Sequence, residues 1–244
     1  MRRTEISYHH LMARRLLEAP SELMLSRDES IARHTYMRLG GPAAYFGEPA
    51  DISILRHVTD WAISNQLPLR VIGGGSNILI ADEGIIAVVI SLRAACADLR
   101  FEGSRVCVGG GVMLPALARA AAERNLGGLE FAIGIPGTVG GALQTNAGIG
   151  DGRAIGELVE AVDVFDKGAV RTLDRSSLAF HYRRTSLSGS GAIVLNATLQ
   201  LVPRPQAECR EEMARLLQGR QRTQPTAERN AGSIFRNPAN DTAG

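Results

Sequence analysis

The chain has 244 residues, 45% of them hydrophobic, enough to bury a substantial core in one large or two moderate domains. Its 27 basic and 25 acidic side chains leave a formal net charge of +2 with no basic stripe, which argues against a nucleic-acid partner. No run approaches the ~20 apolar residues of a membrane span, and no apolar leader with a cleavage site opens the chain, so a cytoplasmic protein without membrane contact is expected.

Residues 1–33 mix arginine with glutamate and carry only Leu11, Met12, Leu16 and Leu17 as a short amphipathic signal, which reads as an extension outside the chemistry. His9-His10 has no further ligand at a helical or hairpin spacing, so no metal is expected. The body begins with a strand-like His34–Gly41. Asp51 then caps a helix to about Asn65, with Ile52, Leu55, Val58 and Ala62 on one face and Trp61 packing beside them. Leu69–Ile72, Ile85–Leu92 and Arg105–Val108 read as strands, and Met113–Arg124 as a helix stopped by Gly127 and Gly128. Leu158–Phe165 and Ala169–Leu173 alternate around Lys167-Gly168, a hairpin signal, and Ala192–Val202 is a long strand. After Pro203 and Pro205, Ala207–Gln221 is an amphipathic helix that would lead into a further domain. Cys96, Cys107 and Cys209 form no C-x-x-C pair and are odd in number, which fits buried thiols in a reducing compartment. The expected organisation is α+β without repeats: an extension (1–33), a first lobe (34–92), a second lobe (93–203) and the start of a third region (204–244).

Two glycine-rich stretches interrupt this pattern. The first, Val71-Ile72-Gly73-Gly74-Gly75-Ser76-Asn77-Ile78-Leu79-Ile80, has the form of a strand, a turn and a second apolar run. A dinucleotide fingerprint would need glycine where Ile78 stands and an acidic residue about 20 positions on, after a helix that does not follow. The second, Gly127–Gly148, has glycine at 127, 128, 134, 137, 140, 141 and 148. Glycine inside a helix or strand costs roughly 0.5–1 kcal/mol relative to alanine, so this density predicts positive-φ turns or tight backbone approach in place of regular structure. Phe131, Ile133, Ile135, Val139 and Leu143 make the stretch a buried one, with Glu130 its only charge. Both stretches are expected to turn backbone N–H groups toward phosphate oxygens, with Pro136 stiffening the turn before Gly137. Neither ends in Gly-Lys-Ser/Thr, which excludes a P-loop.

RLGGPA at Arg38–Ala43, GGGSN at Gly73–Asn77, GIPGTVGGA at Gly134–Ala142, FHYRRT at Phe180–Thr185 and NAGSIFRNP at Asn230–Pro238 together resemble the UDP-N-acetylenolpyruvoylglucosamine reductase (MurB) family. The five blocks stand in the family's order and span most of the chain. The resemblance implies a two-lobed FAD-binding domain of the PCMH/VAO type followed by the start of a substrate-binding α+β domain. It implies non-covalent FAD, NADPH as co-substrate, a UDP-sugar enolpyruvyl ether as substrate, and a monomer working in peptidoglycan precursor synthesis. Cofactor contacts are then expected at Gly73, Gly74, Gly75, Ser76, Asn77, Gly134, Pro136, Gly137, Gly140, Gly141, Asn146 and Gly148.

In that family the flavin passes hydride to the enolpyruvyl double bond, and the resulting enolate is protonated at carbon. By resemblance Ser233, between Gly232 and the apolar Ile234-Phe235, is the proton donor; a hydroxyl can serve a base as strong as an enolate. Arg183 follows Tyr182 in the Tyr-Arg-x-Ser/Thr pattern, and its permanently charged fork would hold the substrate carboxylate and the developing negative charge. The adjacent Arg184 leaves a one-residue ambiguity, and alternation along an extended segment would put the two on opposite faces. Tyr182, Arg236 and Asn237 are the expected substrate contacts.

Two departures qualify the resemblance. Asn146-Ala147-Gly148-Ile149-Gly150-Asp151-Gly152 lacks the tyrosine that many relatives carry there. The family's late catalytic glutamate also has no counterpart after Pro238, so the expectation is an incomplete catalytic set and weak or absent turnover. Another FAD oxidoreductase of the same fold and a flavin-binding fragment without turnover are the alternatives. A non-catalytic flavin- or nucleotide-binding protein is a third, against which the intact Arg183 and Ser233 motifs speak.

Overall fold

The computed structural model describes residues 17–224, which divide between Ala95 and Cys96 into two units. In the first, β1 (Ser26–Ser30), β2 (Pro42–Gly47), α1 (Ile52–Ser64), β3 (Leu69–Ile72) and β4 (Ile85–Ser91) form a sheet of order β1-β2-β4-β3 with one helix. β2 and β3 flank β4 in parallel, and β1 closes the edge antiparallel to β2. The central position of β4 explains its composition: Ala87, Val88, Val89, Ile90 and Ser91 are all buried, so no polar alternation survives. α1 starts where Asp51 Oδ1 accepts the Ile54 N–H at 2.9 Å, and Leu55, Val58 and Ala62 bury one face. Trp61 packs edge-on against the buried Tyr45 ring, 4.9 Å between centroids, which fits the packing expected of it.

Two boundaries in this unit differ from expectation. The extension to residue 33 is too long, because β1 pairs with β2 from Ser26 and Ile31 is fully buried. The strand Ser-Arg-Asp-Glu-Ser lies on a sheet edge, where exposed polar side chains are tolerated and hydrophobic alternation gives no signal. His34–Gly41 is likewise not a strand. A 3₁₀ turn at Ile31–His34 leads into backbone with positive φ at Arg38 (59°) and Gly40 (127°). Thr35 Oγ1 closes this turn, donating to the Leu39 carbonyl at 2.9 Å and accepting its N–H at 3.2 Å.

The second unit is built on a five-stranded antiparallel sheet. It contains β5 (Leu99–Glu102), β6 (Arg105–Gly109), α2 (Leu114–Ala122), β7 (Leu126–Gly127), α3 (Val139–Thr145), β8 (Val159–Asp166), β9 (Ala169–Asp174), β10 (Phe180–His181), β11 (Arg184–Thr185), β12 (Ile193–Gln200), β13 (Val202–Pro203) and α4 (Gln206–Thr223). The sheet order is β5-β6-β12-β8-β9, and the short pairs β10-β11 and β13-β7 stand apart from it. Lys167 (φ 49°) and Gly168 (φ 79°) make the two-residue turn expected between β8 and β9, since positive φ at both positions matches the twist of the strands. Leu114, Leu117, Val139, Leu143, Ile155 and Leu199 are fully buried in one core.

Two further differences carry physical reasons. α2 ends at Ala122, and Asn125 with φ 57° turns the chain; Gly127 does not stop the helix but pairs with Val202. The glycine-dense stretch does contain regular structure, because Gly140 and Gly141 lie inside α3, where Val139, Ala142 and Leu143 supply the buried face. α4 packs into the second unit's core through Cys209 and Met213. Before α4, Arg204 Nη1 meets the buried Glu130 Oε1 at 3.0 Å.

Candidate functional site

The loop Gly73–Asn77 leaves β3 directly. Gly75 has φ 61°, and a Cβ there would overlap the His34 carbonyl oxygen and stand 2.7 Å from Thr35 Cα. The Gly75 carbonyl accepts the Tyr36 N–H at 3.0 Å. Only glycine fits this position, by both conformation and space. Among the described residues, the N–H groups of Gly74, Gly75, Ser76 and Asn77 donate to no acceptor, whereas neighbouring turns are internally bonded. Four successive amides so placed suit an anion such as a phosphate.

Gly134, Pro136, Gly137, Gly140 and Gly141 behave differently. None of the four glycines has positive φ; within Gly127–Gly148 that conformation occurs only at Gly128 (107°) and at Asn146 (45°). Most of the amides are already used. The Gly137 N–H donates to Ile135 O at 2.9 Å, Val139 to Val112 O at 2.9 Å, and Gly140 to Gly110 O at 2.8 Å. Thr138 caps α3, its Oγ1 accepting from Gly141 N at 3.4 Å. At Gly140 a Cβ would crowd the Gly110 oxygen at 3.0 Å, so helix or strand would have to give slightly, while at Gly141 a Cβ would meet only Thr138 Oγ1 at 3.6 Å. The expectation that the whole stretch offers free N–H groups is therefore corrected: its glycines mainly let α3 lie against the β6–β12 pair, to which Gly110 is bonded through Leu195 O at 2.7 Å. Gly110 and Thr138 were not anticipated. The Gly109-Gly110-Gly111 run at the end of a strand was the available signal for the first, and a threonine ahead of Val139 for the second.

Glu130 is buried and internally satisfied, accepting the Gly128 N–H at 2.8 Å besides its pairing with Arg204. Gly148 forms an antiparallel bridge with Ala154, where a Cβ would sit 2.9 Å from the Ala154 Cβ. The loop that follows is clasped to α4. Arg153 Nε donates to Asp151 Oδ2 at 2.8 Å and its Nη1 to Glu212 Oε1 at 2.7 Å. Asp151 is held below the usual carboxylate range by Arg153, and Glu212 is pulled down to about 2, first by Arg215 and then by Arg153. Burial pushes the thiols of Cys96 and Cys209 up to about 11, so both stay protonated at neutral pH.

Tyr182 and Arg183 form the two-residue turn between β10 and β11, with His181 paired to Arg184. Arg183 has φ 56° and is half-buried, while Arg184 is a strand residue with an exposed side chain. The two do not alternate along an extended segment. They differ because one is the second turn residue and the other has entered β11. The Arg183 guanidinium stands 5.5 Å from the centroid of the Tyr182 ring, which is half exposed. Positive φ at a residue of a two-residue hairpin turn matches the twist of the strands, as it does at Lys167. Asn146 reaches this hairpin: its Nδ2 donates to the His181 carbonyl at 3.1 Å, and its Oδ1 accepts the Gly156 N–H at 3.0 Å. Ser233, Arg236 and Asn237 lie outside the described residues, as does His9-His10. No helix among the described residues is long and apolar enough to cross a membrane.

Residues 43–173 match the family described as FAD binding domain. The chain is 41% identical over 220 residues to UDP-N-acetylenolpyruvoylglucosamine reductase 2 of Symbiobacterium thermophilum, covering 90% of this chain and 71% of that protein. It is 38% identical over 218 residues to the UDP-N-acetylenolpyruvoylglucosamine reductase of Bacillus subtilis, covering 89% of this chain and 72% of the relative. The crystal structure of the Thermus caldophilus enzyme of that name superposes with a TM-score of 0.78 at 34% identity, over 90% of this chain and 77% of that one. Cholesterol oxidase from B. sterolicum gives a TM-score of 0.56 at 15% identity over 77% of this chain and 39% of its own, a likeness of fold alone. With this identity over nine-tenths of its length, the chain belongs to the UDP-N-acetylenolpyruvoylglucosamine reductase family, and its fold is the FAD-binding fold of that family.

Proposed function

We infer that the chain carries out its family's reaction, the NADPH-dependent, FAD-mediated reduction of UDP-N-acetylglucosamine enolpyruvate to UDP-N-acetylmuramate in peptidoglycan precursor synthesis. The observation that carries this reading is the 41% identity over 220 residues to a reductase of that name. Bound FAD supplies the hydride chemistry. The residues present fit such a cofactor at one well-defined place: the unengaged amides of Gly74–Asn77 and the backbone fit at Gly75 suit a pyrophosphate. Gly73, Gly134, Pro136, Gly137, Gly140 and Gly148 are assigned to shaping the cofactor's surroundings, through backbone that leaves little side chain in the way, and Gly141 contributes backbone at a position with room for a methyl group. Attachment is non-covalent.

Arg183 is the group proposed to hold the substrate carboxylate. Its fork can bind both oxygens and remains charged as negative charge moves onto the enolate. Ser233, within the Gly232-Ser233-Ile234-Phe235 motif, is assigned as the donor of the proton to carbon. Tyr182, Arg236 and Asn237 complete the proposed substrate contacts, and the working protein is a cytoplasmic monomer. The deciding test is optical. Purified protein should be yellow, lose its flavin absorbance on anaerobic addition of NADPH, and regain it on addition of the enolpyruvyl UDP-sugar. A colourless protein that takes up no added FAD would overturn the reading.

A further inference from the structure

Asn146 was expected to touch the cofactor, yet both ends of its side-chain amide are bonded within the chain. It is buried at the C-terminus of α3, with φ 45°, and its amide links two segments distant in sequence: β10 through the His181 carbonyl and the turn at Gly156 through its N–H. The residue before the helix's last, Gln144, adds a second anchor on the other strand. Its carbonyl accepts from Thr185 Oγ1 at 3.4 Å and from Ser188 Oγ. Thr185 is itself buried, and its N–H donates to Ser188 Oγ at 3.0 Å. One turn of α3 thus grips both strands of the hairpin whose tip is Tyr182–Arg183.

We propose that Asn146 is a positioning residue for Arg183, acting through the β10–β11 hairpin, and is not a cofactor ligand. The inference rests on the reading of Arg183 as the holder of the substrate carboxylate. The chemistry asks for asparagine in particular. The site must present a donor to a carbonyl on one side and an acceptor to an N–H on the other, and it must do so from a left-handed backbone that asparagine tolerates better than most residues. Aspartate keeps the acceptor and sets a carboxylate oxygen against the His181 carbonyl. Glycine keeps the left-handed helix cap and deletes both side-chain bonds. A hairpin with only two residues in each strand has little pairing of its own, so an arginine at its tip owes its direction to these anchors.

The test uses the full flavin-loaded chain and the variants Asn146→Asp and Asn146→Gly. Trypsin cleavage after Arg183 and Arg184 is measured by mass spectrometry relative to cleavage after Lys167, which sits in a turn Asn146 does not touch. Loss of the His181 bond is expected to raise that ratio about tenfold in both variants. In stopped flow, flavin reduction by NADPH should be unchanged, while half-saturation by the enolpyruvyl UDP-sugar rises about tenfold as the fork loses its aim. An unchanged cleavage ratio, or an equal rise at every site, would overturn the positioning role. A raised ratio with unchanged half-saturation would confirm the anchoring and overturn the role of Arg183 on which the proposal rests. Should neither variant purify folded, Ser188→Ala removes the anchor on β11 at an exposed position, and an unchanged cleavage ratio there would overturn the dependence of the hairpin on these anchors.

Discussion

Glu212 joins α4 to the loop after α3, and the strength of that joint can be worked out. Arg215 Nε and Nη2 reach its carboxylate at 2.6 and 2.7 Å, and Arg153 Nη1 reaches it at 2.7 Å. These donors hold the group at about 2 in the folded chain, against an ordinary 4.5. A carboxyl depressed by folding contributes stability that is fully present above its unfolded value and is lost as pH falls toward the folded one. The whole displacement is equivalent to roughly 3 kcal/mol. The side chains of Arg153 and Arg215 are 36% and 64% exposed, and solvent screening reduces the expected contribution to about 1–2 kcal/mol. Glu212→Gln should therefore unfold roughly 3–6 °C below the parent at pH 7 for a protein of this size. Thermal melts of both proteins from pH 7 to pH 3 test the sign: the gap should narrow below pH 4.5 and fall to less than about half by pH 3. A gap that stays constant over that range, or none at pH 7, would refute the ionic origin of the joint.

Gly75→Ala should lose flavin and stability together, since the left-handed conformation alone costs roughly 1–2 kcal/mol and the Cβ meets the His34 carbonyl; full flavin absorbance in the purified variant would refute it. Gly140→Val should also lose flavin, because its side chain drives α3 away from Gly110, whereas Gly141→Ala should fold and bind flavin like the parent. Flavin titration of the two variants side by side reads the difference, and equal loss would mean that the stretch is intolerant for some other reason. Ser233→Ala should leave flavin reduction by NADPH intact and slow reoxidation by the enolpyruvyl substrate by several orders of magnitude. Equal loss in both half-reactions would remove the serine from the chemistry.

Elements with a strong local signal were legible in the sequence. The Asp51 cap, the period of α1, the unbroken apolar run of β4 and the Lys167-Gly168 hairpin each follow from rules that need only neighbouring residues. What escaped was set by position in the sheet or by distant partners. β1 is polar because it is an edge, and nothing in Ser26–Ser30 says that Pro42–Gly47 will pair with it. The Tyr-Arg turn was visible as a motif but not as a turn, since a two-residue strand on either side is too short to show alternation and arginine is not a residue that announces positive φ.

The glycines show why a motif can be located correctly and explained incorrectly. One residue type answers three separate demands here. Gly75 answers both a positive φ and a backbone overlap, and the amides beside it stay unengaged, so that loop keeps its binding capacity. Gly140 answers only the approach of helix to strand, and its amide is consumed by Gly110 in making that approach. Gly141 answers neither, because its Cβ would find space and its φ is ordinary. Counting glycines therefore locates a region where backbone lies close to something, but the identity of that something depends on which N–H groups remain after the fold has taken its share. By that criterion the first loop is the one with amides left to offer an anion, and the second is the frame that lays α3, which ends at Asn146, against the β6–β12 pair.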